Sequence, residues 1–496
     1  MKRPVKLTLI ITLFVLLNLI TTPIHSKPIP WNKFVRELSV ISNLHTNLAL
    51  TKSALKDFKN NPITRAEALL LTIEALGLSF EANLLQEVDL NELDELHPSL
   101  RGAVNLSILM KPPLIGPTKV PSIKWLKGNL DEKEAKSLIE RALHLKNTGG
   151  KVSFKKKIDK DLELYWERSL NPNLYISYLK FNPQSDSLKL GIELAGSQVQ
   201  NKERLSDICR RMNAIAGING GFFKSDGEPV GALMIDGVLI SEPLPNRGCF
   251  GWSNKGKFIF GKVSWEGSIR SQNGLTITID GLNRKPNKDE ELIVYTPFYG
   301  EILDLGKEST IATIRGERVY EVKRSQIEVI PKDGFIIVGY GERGNILYQL
   351  QIGEKVSVKA YLIPEKKSPI WREVSFLIQG GPTLIENGEI VNDDEGFNHN
   401  LINKKHPRTI IGETRSGHII LMVIDGRNPI RSEGLTIEEL KIMLKNLGLK
   451  NALNLDGGGS TTLYLQGKLY NTPSDGKERE ISYALLILNK KKGEKL

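Results

Sequence analysis

Two stretches late in the chain place acids, arginines and glycines at spacings that suit chemistry on a charged substrate. Asn451 to Leu463 reads Asn-Ala-Leu-Asn-Leu-Asp-Gly-Gly-Gly-Ser-Thr-Thr-Leu, an apolar run rising to Asp456 and followed by Gly457, Gly458, Gly459 and Ser460. Val423-Ile-Asp-Gly-Arg427 similarly ends an apolar run in Asp425 and adds Arg427. His406-Pro-Arg-Thr409 supplies Arg408 and Thr409 where another run begins. Asn219-Gly-Gly-Phe-Phe223 and Gln379-Gly-Gly-Pro382 put Asn219, Gly380 and Gly381 at further strand tips. A carboxylate can act as base, nucleophile or metal ligand. Arginines clasp phosphate oxygens through two parallel N–H groups. A loop without side chains lets an anion reach backbone N–H donors. These residue types suit attack at a carbon whose leaving group is an anionic phosphate. Asp456 is the expected catalytic carboxylate, with Asp425 and Asn219 as further catalytic candidates. Arg408 is expected to grip the phosphate, with Thr409, Arg427, Gly380, Gly381, the three glycines after Asp456 and Ser460 completing the binding set. A simple tight turn would also use glycine, but seldom needs three with a flanking Asp and Ser.

Regular elements must hold these tips together. Thr436 and Glu439 have capping-box spacing, and Ile437, Leu440, Leu444 and Leu447 share one helical face. Gly448 stands where a left-handed cap is wanted. The order is thus helix, strand, Asp456. From Asp161 onward the apolar pattern alternates with period two, as in Leu174, Ile176, Tyr178 and again in Leu188, Leu190, Ile192. Glu203 to Met212 reads as helix and Ala214 to Asn219 as strand. Val230 to Ile240 reads as a hairpin turning at Asp236-Gly237, and residues 255 to 370 are strand-rich. Gly339-Tyr-Gly-Glu-Arg-Gly344 matches the spacing of a dinucleotide fingerprint, but Asn345 to Val358 alternates like another strand where a helix is required. Nucleotide binding is therefore excluded there. The expected fold class is α+β, a mixed-sheet C-terminal domain preceded by a small helical region.

The chain has 496 residues, with 40% hydrophobic and 25% charged residues and a net charge of +11, as in an ordinary globular protein. A moderate positive balance favours an anionic polymer without selecting nucleic acid, and none is expected as a partner. The runs Lys155–Lys157 and Lys490–Lys492 read as a solvated linker and tail. Two cysteines, Cys209 and Cys249, allow one disulfide but no disulfide framework. Lys2, Arg3 and Lys6 precede a mostly apolar run from Leu7 to Ile20, too short for a comfortable span, then Thr21 to Ser26. That is an export signal over residues 1–26, with an uncleaved anchor as the alternative, and it places the protein outside the cytoplasmic membrane. Residues 27–150 read as helical. Thr64-Arg-Ala-Glu67 opens one helix, whose Leu69, Ile73 and Leu76 share a face, and Asp131 to Glu134 repeats the capping spacing. Ile63 to Glu67 resembles the helix start of the S-layer homology module, which implies docking on a cell-wall polymer; a helical cap is the alternative. A glycine- and lysine-rich junction over 149–160 separates this region from 151–496. Asn392-Asp-Asp-Glu395 offers oxygen ligands for Ca²⁺ or Mg²⁺ without the spacing of a dedicated loop, so a solvated acidic turn and no cofactor are expected. His399 and His406 are secondary acid–base candidates, and a catalytic thiol is not expected at Cys249.

From about Tyr165 to Asn489 the chain resembles the phosphodiester glycosidases. The resemblance rests on Asn-Gly-Gly-Phe-Phe at 219–223, Gly-Gly-Pro at 380–382, Arg-Thr at 408–409, Asp-Gly-Arg at 425–427, Gly-Leu-Thr at 434–436 and Asn-Leu-Asp-Gly-Gly-Gly-Ser at 454–460. Arg479 before the last strand also fits and joins the expected substrate-binding residues. Gln379 and Tyr483 depart from the family pattern. The resemblance implies a hydrolase that cleaves between a sugar's anomeric carbon and a phosphate, on an envelope or exopolysaccharide glycan. An Asp would guide water or form a covalent intermediate. A noncatalytic binder of anionic polymer, and a phosphatase or phosphodiesterase on the same donors, are the rival readings.

Overall fold

The computed structural model describes residues 27–41, 61–88, 93–115 and 121–490. The expected export signal over residues 1–26 lies outside them. The chain divides into two compact units, Met1–Val152 and Ser153–Leu496.

The first unit is helical. Both capping boxes form: Thr64 N donates to Glu67 Oε2 at 2.8 Å, and Glu134 N donates to Asp131 Oδ1 at 2.8 Å. They cap helices Arg65–Ala75 and Glu132–Thr148, the second closed by Gly149 at φ 83°. Leu69, Ile73 and Leu76 are buried together. The two helix starts are tied to each other. Leu130 N donates to Ile63 O at 2.8 Å, and Arg65 reaches both oxygens of Glu134 at 3.0 and 2.9 Å.

In the second unit, strands from distant parts of the sequence interleave. One sheet runs, in spatial order, Lys151–Asp159, Leu162–Leu170, Asn173–Phe181, Ile419–Ile424, Arg408–Thr414, Leu449–Asn454, Thr383–Glu386 and Glu389–Ile390. Lys155–Lys157 therefore belong to a strand, not a linker. Ile419–Ile424 is buried at every position, as expected of a strand covered on both faces. Helix Ile437–Asn446 has the Thr436–Glu439 capping box and lays Leu440 and Leu444 on Ile410, Ile420 and Met422. Each such fully buried side chain contributes roughly 1.5–3 kcal/mol. A second sheet orders Lys468–Leu469, Leu463–Leu465, Ala216–Asn219, Tyr483–Asn489 and Leu188–Leu194. The third links Gly248–Trp252 to Phe376–Gln379 and to the Leu233–Ile235/Val238–Ser241 hairpin, whose turn residues Asp236 and Gly237 lie at φ 49° and 80°. The mixed α+β class stands, and among the described residues Gly281–Leu282 pairs parallel with Leu292–Tyr295 in a further small sheet.

The segment after Gly339 corrects one expectation. A 3₁₀ helix spans Gly341–Gln349 where a strand was expected. Gly334–Gly339 still pairs antiparallel on both sides, and Val356–Pro364 joins a different sheet, so no parallel crossover forms around a pyrophosphate. The glycines serve close packing, since a Cβ on Gly339 would lie 2.3 Å from Gly344 Cα.

Candidate functional site

The marked tips converge because the registers bring one end of several strands together. Arg408 pairs with Ile424, Ile410 with Asn454, and Ala484 with Asn219. Asp425, Asp456 and Tyr483 therefore meet at a common end of two sheets.

Asp456 follows the strand Leu449–Asn454 by two residues and is half-buried. Its backbone is pinned from across the sheets: Asn219 Nδ2 donates to Asp456 O at 2.7 Å, and Leu455 N donates to Thr409 O at 2.8 Å. Burial raises the Asp456 carboxyl to about 6, against the opposing pull of Ser460, Arg479, the Gly457 N–H and Arg427. Ser460 Oγ is buried beside this carboxyl.

The glycine loop has a more specific task than presenting bare donors. A Cβ on Gly458 would stand 2.9 Å from Arg427 Nη2, and one on Gly459 would stand 2.1 Å from Arg479 Nη2 and 2.2 Å from Asp475 Oδ2. Glycine there lets both guanidinium groups lie against the main chain beside Asp456. Gly458 N itself donates to Pro407 O at 3.0 Å, and a Cβ on Gly457 would meet that same carbonyl at 2.7 Å. Arg427 is exposed, sits at φ 62°, and donates Nε to His406 Nδ1 at 3.3 Å. His406 Nε2 lies 3.0 Å from Asn400 O, which fixes Nε2 as the protonated nitrogen and leaves Nδ1 to accept. Burial, then Arg427 and Arg408, push the His406 imidazole below its ordinary range. Arg479 grips Asp475 Oδ2 at 2.9 and 2.7 Å.

Several expected site residues have other duties. Arg408 is buried and donates to three backbone carbonyls, Leu435 O and Leu401 O at 2.8 Å and Lys404 O at 3.0 Å. Burial pushes its guanidinium down to about 10. Through these bonds it ties helix His399–Asn403 to the Leu435 loop, an anchoring duty beside the phosphate grip expected of it. Asp425 is buried in a closed knot: Arg431 Nε donates to Oδ2 at 3.0 Å, Thr472 N to Oδ2 at 3.0 Å, and Asn471 Nδ2 to Oδ1 at 3.2 Å. All its acceptor directions face protein donors, so the catalytic role expected of it does not fit. Asn219 is likewise saturated, with Oδ1 accepting from Thr409 Oγ1 at 2.8 Å and from Thr462 N at 3.2 Å. Asn219 and Thr409 are positioning residues for Asp456. Gly380 N and Gly381 N are spent on Gly248 O at 3.0 Å and Asn454 O at 2.7 Å, and a Cβ on Gly380 would strike Asn454 O at 2.3 Å. These two glycines permit close strand packing and offer no donor to a ligand.

Other groups at this end had no assigned duty in the sequence reading, which noted Tyr483 only as a departure from the family pattern. The Tyr483 ring packs on Gly220, its hydroxyl meets the Gly221 N–H, and burial with the nearby Asp456 charge pushes its phenol up. Asp475 could have been suspected from its four-residue spacing to Arg479. Phe397 had no signal at all. Glu395 corrects the solvated acidic turn: it points inward and accepts from Gly248 N at 3.0 Å and Thr383 Oγ1 at 2.7 Å. Cys209 and Cys249 are both free and buried, so they do not pair, and burial raises both thiols. A cavity of about 480 Å³ opens elsewhere, lined by Ile419 and Leu488, each at the far end of a strand from this site.

Residues 308–488 match the model of the phosphodiester glycosidase family. Over 150 residues the chain is 32% identical to N-acetylglucosamine-1-phosphodiester alpha-N-acetylglucosaminidase of Mus musculus, covering 29% of this chain and 26% of that protein. It is 40% identical over 86 residues to the SPbeta prophage-derived uncharacterized protein YomE of Bacillus subtilis, covering 17% of this chain and 13% of the relative. The chain thus spans about a quarter or less of the length of these relatives. A solved structure of a hypothetical protein from Synechocystis matches with a TM-score of 0.61 at 25% identity, covering 68% of this chain and 64% of that one.

Proposed function

We propose, from the match of residues 308–488 to the phosphodiester glycosidase family, that the chain hydrolyses the bond between a sugar's anomeric carbon and the phosphate of a sugar-1-phosphodiester. The observation that carries this reading is Asp456, a half-buried carboxyl raised to about 6 and set between Arg427 and Arg479. In the reaction the C1–O bond breaks and its electron pair leaves with the phosphate monoester. That leaving group is stable as an anion, so strong acid assistance is less necessary than for an ordinary glycoside. Arg427 and Arg479 offset the charge that grows on it. Ionised Asp456 either takes the proton of an attacking water or bonds to C1 before water releases the sugar. The natural substrate in this reading is an anionic envelope or exopolysaccharide glycan met outside the cytoplasmic membrane. Residues 27–150 would hold the protein to a wall polymer.

The test is product analysis of the purified protein on a panel of sugar-1-phosphodiesters. Free reducing sugar with the phosphate retained on the alcohol is expected. Inorganic phosphate would indicate a phosphatase, and binding without products would indicate a noncatalytic polymer-binding protein.

A further inference from the structure

One arginine near the site has no partner that its surroundings explain. Arg247 precedes the strand Gly248–Trp252, which pairs with Phe376–Gln379. Gln379 Nε2 donates to Arg247 O at 3.2 Å and Gly380 N to Gly248 O at 3.0 Å, so this corner is fixed against the Gly380–Gly381 tip. The guanidinium lies over the Phe397 ring, 3.9 Å from its centroid. Phe397 packs on Phe222 at 5.3 Å and against Gly381, where a Cβ would stand 2.5 Å from its ring. Phe222 follows Gly221, which touches the Tyr483 hydroxyl beside Asp456, and Gly381 N is bonded to Asn454 O, two residues before Asp456. Arg247 is therefore linked to the Asp456 end of the sheets through Phe397, Phe222 and Gly381.

Among the described residues its guanidinium makes no hydrogen bond or ion pair. The nearest carboxylate, Glu395, is already engaged by Gly248 N, Thr383 Oγ1 and Lys262 Nζ, the last at 3.5 Å. Arg247 is half-buried, so its charge is partly desolvated, and an aromatic face compensates only part of that, about 0.5–2 kcal/mol. The contact with the Phe397 ring uses none of its N–H donors, and an arginine binds an oxyanion through its N–H edge in two parallel hydrogen bonds.

We propose that Arg247, lying over the Phe397 ring, is a substrate-binding residue that grips the phosphate of the sugar-1-phosphodiester. The assignment rests on the reaction proposed above but is separable from it by binding measurements. The probe is the methyl phosphodiester of α-N-acetylglucosamine-1-phosphate, titrated calorimetrically into Asp456→Asn protein so that no turnover intervenes. Adding Arg247→Ala should weaken binding about tenfold or more, the scale of a charge-assisted hydrogen bond. Arg247→Lys, which keeps charge but loses the planar fork, should recover only part of it. Neutral methyl α-N-acetylglucosaminide should bind all three proteins alike. In the active protein Arg247→Ala should raise KM for the phosphodiester with little change in kcat. Hydrolysis by the wild type with unchanged binding in folded Arg247→Ala would overturn this assignment and leave the reaction standing. Arg247-dependent binding without hydrolysis would keep the assignment and remove the reaction. No binding of the probe at millimolar concentration would overturn both.

Discussion

Arg427 Nε donates to His406 Nδ1 at 3.3 Å, and that bond exists only while the imidazole is neutral. Protonation removes the acceptor and sets a cation against Arg427. With its pKa held below the ordinary 6.5, His406 stays neutral in the fold at pH values where a free imidazole begins to charge. KM for a phosphodiester should therefore climb only as pH falls below 6.5, and His406→Gln should flatten that rise. The unfolded chain takes up this proton first, so the His406 contribution to stability is full above 6.5 and shrinks as pH falls through the folded value. Kinetics across pH 4.5–8 with thermal unfolding at the same points would check both statements.

Asp456 should dominate turnover. Asp456→Asn keeps the shape and should lower kcat by about a thousandfold or more, as at other catalytic carboxylates. A base or nucleophile must be ionised, so kcat/KM should rise through an acid limb centred near 6. Arg479→Met, which removes one of the charges that favour the anion, should move that limb to higher pH. Wild-type-like turnover by folded Asp456→Asn would reduce the residue to a structural turn.

Arg408 is expected to matter for folding and not for substrate. Arg408→Met takes the donor from three carbonyls, of which Leu435 O is bonded in a buried position and Leu401 O and Lys404 O in part-buried ones. A buried carbonyl left without a donor costs about 1–3 kcal/mol. Its Tm should drop clearly while KM of the protein that remains folded stays within roughly twofold of wild type. A rise in KM at unchanged Tm would return Arg408 to the phosphate.

Gly459→Ala tests the loop. The new methyl group would meet the tips of Arg479 and Asp475, which can swing away, so the fold should survive. Their displacement from beside Asp456 should raise KM for the phosphodiester and shift the acid limb, measurable in one pH–rate series. A variant indistinguishable from wild type would show that the pair plays no part at the site.

Much of this end of the molecule was legible in the sequence, and its failures share one cause. The helix over Ile437–Asn446 announced itself through Thr436, Glu439 and Gly448, because caps and periodicity are local. Strand tips were legible for the same reason, as apolar runs ending in a polar residue and glycine. The duty of each tip residue was not, since it depends on partners far along the chain. Nothing near Asp425 foretells that Asn471 and Thr472 close over it, and nothing near Arg408 foretells three carbonyls within reach. Arg247 and Phe397 had no motif around them, because what joins them is spatial packing across 150 positions of sequence. The glycines after Asp456 drew attention in the sequence, but spacing could not tell an anion's approach from that of two arginine side chains.

The strand Tyr483–Asn489 lies between Ala216–Asn219 and Leu188–Leu194 and pairs with both. Its partners emerge during synthesis long before it does. From Asn219 to Tyr483 a ribosome at about 5–20 residues per second needs roughly ten seconds to a minute. Throughout that interval two apolar strands keep bare edges, the kind of surface that recruits other chains. Asn219 also waits, with no Asp456 to hold. The nascent protein is therefore both inactive and adhesive until nearly all of it has been made. A holding factor that shields extended chains would protect it best in that window, and truncation ahead of Tyr483 would yield insoluble material instead of a weakened enzyme.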